Sequence, residues 1–426
     1  MKNICFYFEI HQPVELKRYR FFDIDFDHYY YDDFLTEERV RSLASQVYIP
    51  ANEVFMEIIR NTGGKFRCAF SISGIALEQF EQYAPEVIES FQELAKTGSV
   101  EFLAEPYSHS LSSIFNTAEF EMQVNQHAAK IETLFGKKPT ALRNAELIYS
   151  DEIGEIVSNL GYKTILIDEA KHIMGWKSPN YVYNHASISK LKLLVRNFKL
   201  SDDVAFRFSD RTWLNFPLTA ETYINWIEAT SEKENVINIW MGYEALGFFN
   251  SAYSGIFDFF KALPTVAFKK KIGFATPSEI TKTCESAGAL SVSYPVSWSG
   301  SEKNLASWTG NDLQQEALNK LYAVSERVHL CSDKPLRRDW LILQTSNYFR
   351  FMSHTDAFGS NYESPYEAFI NYMNILDDFL KRVDAQYPTT IENEELNELL
   401  TTIYNQDKTI EMLEGKIEKL KKQKKI

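Results

Sequence analysis

Four short stretches of this chain end an apolar run in polar side chains that could do chemistry. Residues 9–13 read Glu9-Ile10-His11-Gln12-Pro13, where the imidazole can donate to hydroxyls and Pro13 stops a strand. Residues 101–111 bring Glu105, Tyr107 and His109 within a few positions of each other, a carboxylate, a phenol and an imidazole suited to recognising a polyhydroxyl compound. In Leu142-Arg143-Asn144-Ala145-Glu146-Leu147-Ile148-Tyr149 a carboxylate stands among apolar residues, and such a group is either paired or functional. The fourth stretch, Ile239-Trp240-Met241-Gly242-Tyr243-Glu244-Ala245-Leu246-Gly247, places Gly242, with no side chain, where one could be wanted. Plainer readings stand beside these: His11 as a structural histidine, residues 105–109 as a solvated turn closed by Pro106, and Glu146 as a buried partner of Arg143.

The elements that must carry these stretches follow from hydrophobic period. β-branched and aromatic runs at 4–10, 66–73, 100–105, 141–147, 164–168, 204–208 and 236–243 predict strands. Helical patterns at 37–60, 75–96, 117–135, 151–160 and 218–232 lie between most of them. Such alternation predicts an α/β fold with a parallel sheet, and seven repeats suggest an incomplete TIM-type (β/α)7 barrel over residues 1–287, with working residues at the C-terminal strand ends. Helical patterns at 252–271 and 278–286 lead to a loop at 288–300. Those at 312–330, 334–352 and 364–383 predict a helical bundle, within residues 288–390, packed on the barrel.

Residues 391–426 differ in kind. Leu396, Leu399, Ile403, Gln406, Ile410, Leu413, Ile417 and Leu420 follow steps of three and four, which predicts a coiled-coil tail and a parallel homodimer, with a helix folded back on its own domain as the alternative. The 426 residues carry a formal charge of −13, and Lys and Arg cluster only near the C-terminus, which argues against nucleic acid as a partner. The opening run MKNICFYFEI is too short for a signal peptide or a membrane span, so a soluble cytoplasmic protein without membrane partners is expected. The four cysteines, Cys5, Cys68, Cys284 and Cys331, lack C-x-x-C spacing and read as buried reduced thiols. No zincin histidine pair or calcium loop is present, so no metal and no cofactor are implied.

Together the four stretches resemble family 57 of the glycoside hydrolases, in its α-amylase branch. The likeness runs through His11-Gln12-Pro13 and the basic stretch after it, residues 98–111, Arg143 to Tyr149, Arg196 to Ser209, Trp308-Thr309-Gly310-Asn311 and Ser364 to Met373, over about residues 1–385. It implies a retaining mechanism on α-glucans or maltooligosaccharides, with Glu146 as nucleophile and His11, Glu105, His109, Tyr243 and Glu244 lining a sugar-sized cleft. The family's fourth region reads methionine, aspartate, tyrosine, glutamate, then threonine, phenylalanine, glycine, glutamate and histidine. Here it is Met241-Gly242-Tyr243-Glu244-Ala245-Leu246-Gly247-Phe248-Phe249, so the general acid/base aspartate is replaced by Gly242 and a later polar pair by Phe248 and Phe249.

Retention needs two carboxyl groups about 5–5.5 Å apart. Without the acid a sugar alkoxide must leave unprotonated, and acid catalysis is worth about 10²–10⁴-fold. Weak, altered or absent hydrolysis is therefore expected. Rescue by Glu244, which an extended strand would turn to the same face as Gly242, stays open. So do a non-catalytic glucan-binding protein and a dimeric scaffold.

Overall fold

A strand buried on both faces reads as an unbroken apolar run. Ile4-Cys5-Phe6-Tyr7-Phe8 of β1 (Asn3–Ile10) is such a run, and each residue in it is buried. The computed structural model describes residues 2–357, 359–386, 399, 401–410 and 412–414. Around β1 it sets β2 (Cys68–Ile72), β3 (Val100–Phe102), β4 (Ala141–Arg143), β5 (Thr164–Ile167), β6 (Val182–His185), β7 (Lys192–Val195), β8 (Val236–Gly242), the short pair β9 (Leu246–Gly247) and β10 (Asn250–Ser251), β11 (Gly273–Phe274) and β12 (Ser286–Leu290).

β1 pairs in parallel with β2, β8 and β11, and β2 with β3. A second sheet runs β12–β6–β7–β5–β4, parallel except between β6 and β7. Single parallel bridges, Ala104 to Leu142 and Arg196 to Asn238, connect the two sheets. Pairing therefore passes from β1 through β2, β3, β4, β5 and β7 to β8, which returns to β1. The C-terminal ends of β1, β3, β4 and β8 carry the four polar stretches to the same end of the sheets.

Helices cover the strands, and local capping explains where several begin. Ser73, Asn116 and Ser150 accept from the backbone N–H groups of Ala76, Glu119 and Ile153, starting the helices Gly74–Tyr83, Thr117–Phe135 and Asp151–Asn159. Gly136, at φ 76°, takes the left-handed turn that ends Thr117–Phe135. Asp312–Tyr322, Lys334–Leu343, Ser346–Arg350 and Pro365–Gln386 share one apolar cluster with the second sheet, in which Leu318, Trp340 and Phe379 lie with Ile165 and Leu193. The C-terminal helices thus have no core separate from that sheet.

Several expectations are corrected. Residues 204–208 are not a strand: Asn197 accepts from Leu200 N–H at 3.0 Å and starts the helix Phe198–Ala205, and Arg207 pairs with Asp203 at 2.6 Å across one turn. The strand that stands next to β8 is β7, four residues long. The loop expected from 288 begins as strand, since β12 pairs with β6. Cys5, Cys68 and Cys331 are buried, but Cys284 is only partly so. In the tail, residues 401–410 are helical and Leu399, Ile403, Ile410 and Leu413 are exposed, so these four do not fold back on the domain. Leu396, Ile417 and Leu420 lie outside the described residues. No helix among the described residues is long and apolar enough to cross a membrane.

Candidate active site

The strand ends open on a cavity of about 610 Å³, lined among others by Glu9, His11, His109, Glu146, Gly242, Glu244, Trp240 and Trp298. That volume suits several sugar-sized groups. Glu146 follows β4 on a single 3-10 turn, Ala145–Leu147, and sits at φ 55° and ψ 21°. His109, after β3, has φ 53°. Left-handed backbone at a non-glycine residue costs on the order of 1–3 kcal/mol, and such strain is characteristic of functional sites.

Glu146 is held by neutral donors. Trp298 Nε1 donates to its Oε2 at 2.7 Å and Ser346 Oγ to its Oε1 at 2.7 Å, while His109 Nε2 stands 3.6 Å from Oε1. Burial pushes this carboxyl up, but the bond and charge of His109, with Arg350 and the Trp298 donor, outweigh it and hold Glu146 well below the usual carboxylate range. It is ionised at neutral pH.

His109 is an imidazolium. Its Nδ1 donates to Glu105 Oε2 at 3.0 Å, and its Nε2 forms an ion pair with Glu9 Oε1 at 3.1 Å. Burial opposes the charge, yet the surrounding Glu105, Glu146 and Glu9 carboxylates raise its pKa to about 9. Arg143 pairs with Glu9 at 2.7 Å and Glu105 at 3.3 Å. The Arg143–Glu146 structural pair that the sequence left open is therefore not formed. His11 is neutral, held well below its ordinary value by burial and by the His109 charge. Its ring stacks on His109 at 4.2 Å, its Nε2 donates to Asn347 Oδ1 at 3.0 Å and its Nδ1 accepts from Ser73 Oγ at 2.7 Å.

On the opposite side, Glu9 lies beside Gly242 in the β1–β8 register. Gly242, at φ −61° and ψ 138°, ends β8 in backbone that any residue adopts. A Cβ placed there would lie 3.0 Å from Glu244 Oε2. The expected strand alternation does not produce this closeness, because Tyr243–Ala245 is a 3-10 turn that curls Glu244 back over the glycine. Gln12 Nε2 and Tyr48 hydroxyl each donate to Glu244 Oε1 at 3.1 Å. Burial, reinforced by the negative charge of Glu9, raises Glu244 to about 7 despite these donors.

The family model for glycosyl hydrolase family 57 matches residues 5–293. This chain belongs to glycosyl hydrolase family 57. It is 35% identical over 400 residues to the "Putative alpha-amylase" of Methanocaldococcus jannaschii, covering 88% of this chain and 84% of that protein. Its fold is that of the family 57 branching enzyme of Thermococcus kodakaraensis, with a TM-score of 0.68, 13% identity and 95% of each chain covered. An α-amylase of Thermotoga maritima superposes with a TM-score of 0.64 at 14% identity, over 95% of this chain and 96% of that one.

Within the family 57 cleft, the residues expected from sequence divide. His11, His109, Glu146, Gly242 and Glu244 line the cavity. Glu105 does not: it is fully buried behind His109, which it orients. Tyr243 is core, its ring packed at 5.2–5.3 Å on Phe70 and Phe8 and its hydroxyl donating to Asn52 Oδ1 at 2.7 Å, so it is not a sugar contact. Phe248 and Phe249, 53% and 42% exposed, line the cavity without filling it.

Sequence reasoning missed Glu9, Trp298, Ser346, Asn347 and Arg350. Trp298 comes from the loop expected at 288–300, and its backbone N–H also donates to the Glu146 carbonyl at 3.2 Å. Arg350 lies over its ring at 5.0 Å and Trp240 packs against it at 5.4 Å, with Arg196 over Trp240 at 4.7 Å. The available signal was a tryptophan inside the loop Ser293-Tyr294-Pro295-Val296-Ser297-Trp298-Ser299-Gly300. Among the described residues no three His, Cys, Asp or Glu side chains are grouped to hold a metal ion.

Proposed function

We propose that this family 57 protein acts on α-glucans or maltooligosaccharides by a retaining mechanism with Glu146 as nucleophile, at rates below those of an ordinary amylase. The observation that carries this reading is the state of Glu146: ionised, on the cavity wall, and aimed by Trp298 and Ser346 rather than paired with Arg143. His11, Asn347 and the rim of Phe248 and Phe249 suit hydroxyls and the apolar faces of sugar rings. The names of the relatives, an α-amylase and a branching enzyme, favour α-glucans as the class. The lower rate follows from Gly242, which carries no side chain where the resemblance places the acid/base aspartate, so that any acid must reach the leaving oxygen from another position.

The same reading takes the two bridged sheets as a seven-stranded (β/α)7 barrel over residues 1–287, with the helices of 288–390 as a bundle against it. Residues 391–426 pair with those of a second copy through heptads that include the exposed Leu399, Ile403, Ile410 and Leu413, and the protein works in the cytoplasm. A second reading, a glucan-binding protein without turnover, is favoured by the missing side chain at 242. Turnover of α-maltosyl fluoride, which needs no acid to release fluoride, separates the two when followed by proton NMR. The expected result is α-configured maltose formed by the wild type and none by Glu146→Gln. Heat of binding with maltoheptaose but no fluoride release from the wild type would leave the binding reading, and a β-configured first product would refute Glu146 as nucleophile.

A further inference from the structure

Gly242 leaves a gap, and a neighbouring side chain already occupies it. Glu244 Oε2 lies 3.0 Å from the point a Cβ at 242 would take, close to where the carboxyl of an aspartate there would reach. Glu244 lines the same cavity as Glu146. Its Oε1 is fixed by Gln12 and by Tyr48, and Tyr48 stands in a π-helical turn, Ala44–Tyr48, a feature often placed at functional sites. Among the described residues no side chain donates to Oε2.

We propose that Glu244 is the general acid/base of this protein, reaching from its 3-10 turn over Gly242 to the position that an aspartate side chain would have supplied. This rests on Glu146 being the nucleophile. In the first step Glu146 attacks the anomeric carbon, the bond from that carbon to the leaving glucosyl oxygen breaks, and the proton on Glu244 passes to that oxygen. In the second step Glu244, now a carboxylate, takes a proton from water as the water oxygen bonds to the anomeric carbon. The ester bond to Glu146 breaks, which restores the Glu146 carboxylate and the Glu244 acid. Burial beside Glu9, which raises Glu244 to about 7, keeps a usable fraction protonated at neutral pH.

Two substrates and two variants test this on the full chain. With maltoheptaose, whose leaving group needs a proton, Glu244→Gln is expected to lower kcat/KM by about 10²–10⁴-fold and to abolish the fall in activity above a pH near 7. With α-maltosyl fluoride the same variant should still release a burst of fluoride, which also shows that it is folded. Sodium azide should restore turnover of the fluoride by Glu244→Ala and yield α-maltosyl azide, since azide needs no base. Maltoheptaose turnover by Glu244→Gln within about threefold of the wild type, or no azide product, overturns the role of Glu244. Fluoride turnover by a wild type inert to maltoheptaose overturns it too, while leaving Glu146 as nucleophile. A wild type inert to the fluoride overturns both.

Discussion

Restoring the carboxyl on β8 measures how much of its role is already filled. Gly242→Asp requires no backbone change, since φ −61° and ψ 138° suit any L-residue. Its Cβ would meet Glu244 Oε2 at 3.0 Å, tighter than ordinary contact, but that atom ends a flexible side chain and can swing away. Two carboxyls would then compete for one place and, being like charges, could not both ionise freely. In a Glu244→Gln background the new aspartate would be the sole acid, and kcat/KM on maltoheptaose should rise about 10²–10³-fold, on the order of 3–4 kcal/mol of barrier. In the wild-type background the gain should be at most about tenfold, ~1.4 kcal/mol, because one acid replaces another. The four proteins form a double-mutant cycle whose coupling should exceed about 1.5 kcal/mol. Equal gains in both backgrounds would show that Glu244 does not fill the role and would refute the reasoning.

Trp298→Phe removes the Nε1 donor to Glu146 Oε2 while keeping an aromatic ring under Arg350. A hydrogen bond to a charged group is worth about 1.5–3 kcal/mol, so the acid limb of the activity profile should move up by one to two pH units, read from kcat/KM on α-maltosyl fluoride; an unmoved limb would mean that Trp298 does not tune the nucleophile. His109 is raised from 6.5 to about 9 in the folded protein, so its contribution to stability is full below pH 6.5 and is lost as pH rises through 9. At ~1.4 kcal/mol per unit the loss is about 3 kcal/mol, seen as a fall in Tm between pH 7 and 9.5 that His109→Gln should flatten. Truncation after residue 390 should convert a dimer to a monomer in light scattering without changing fluoride turnover.

Long, strongly periodic elements were legible in the sequence: β1, β8 and the helix Thr117–Phe135 stand within a residue or so of the expected limits. Short apolar runs were not. Val204-Ala205-Phe206-Arg207-Phe208 has strand composition, but the cap at Asn197 and the Arg207–Asp203 pair commit its first residues to the last turn of a helix. Lys192-Leu193-Leu194-Val195 is too short for its period to identify it, and only its place between β5 and β6 makes it a central strand. In the site, Glu146, His109 and His11 could be found because each follows a strand. Ser346 and Asn347 could not, since they reach the cleft from a helix some 200 residues beyond Glu146 and their role depends on tertiary packing. Tyr243 was misplaced for the same reason as Glu244 was underrated: both were read as extended strand, whereas the 3-10 turn sends the phenol into the core and the carboxylate into the cleft.

The ionic arrangement gives a reason why Glu146, among three clustered glutamates, is the one free to attack. Only two cations, His109 and Arg143, stand within ion-pair distance of Glu9, Glu105 and Glu146, so one of the three carboxylates is left without a close counter-charge of its own. Arg143 contacts Glu9 and Glu105, and both ring nitrogens of His109 are within hydrogen-bond distance of those same two residues. Glu146 has the 3.6 Å approach of His109, the more distant charge of Arg350 and the neutral hydrogen bonds of Ser346 and Trp298. A carboxylate in a direct ion pair has its oxygen lone pairs engaged with the cation. One oriented by neutral donors, with cations a step further away, stays ionised while keeping a lone pair for an electrophilic carbon. The excess charge of the cluster is thereby placed on the residue that lines the cavity in left-handed backbone, and the donors Trp298 and Ser346 hold it there.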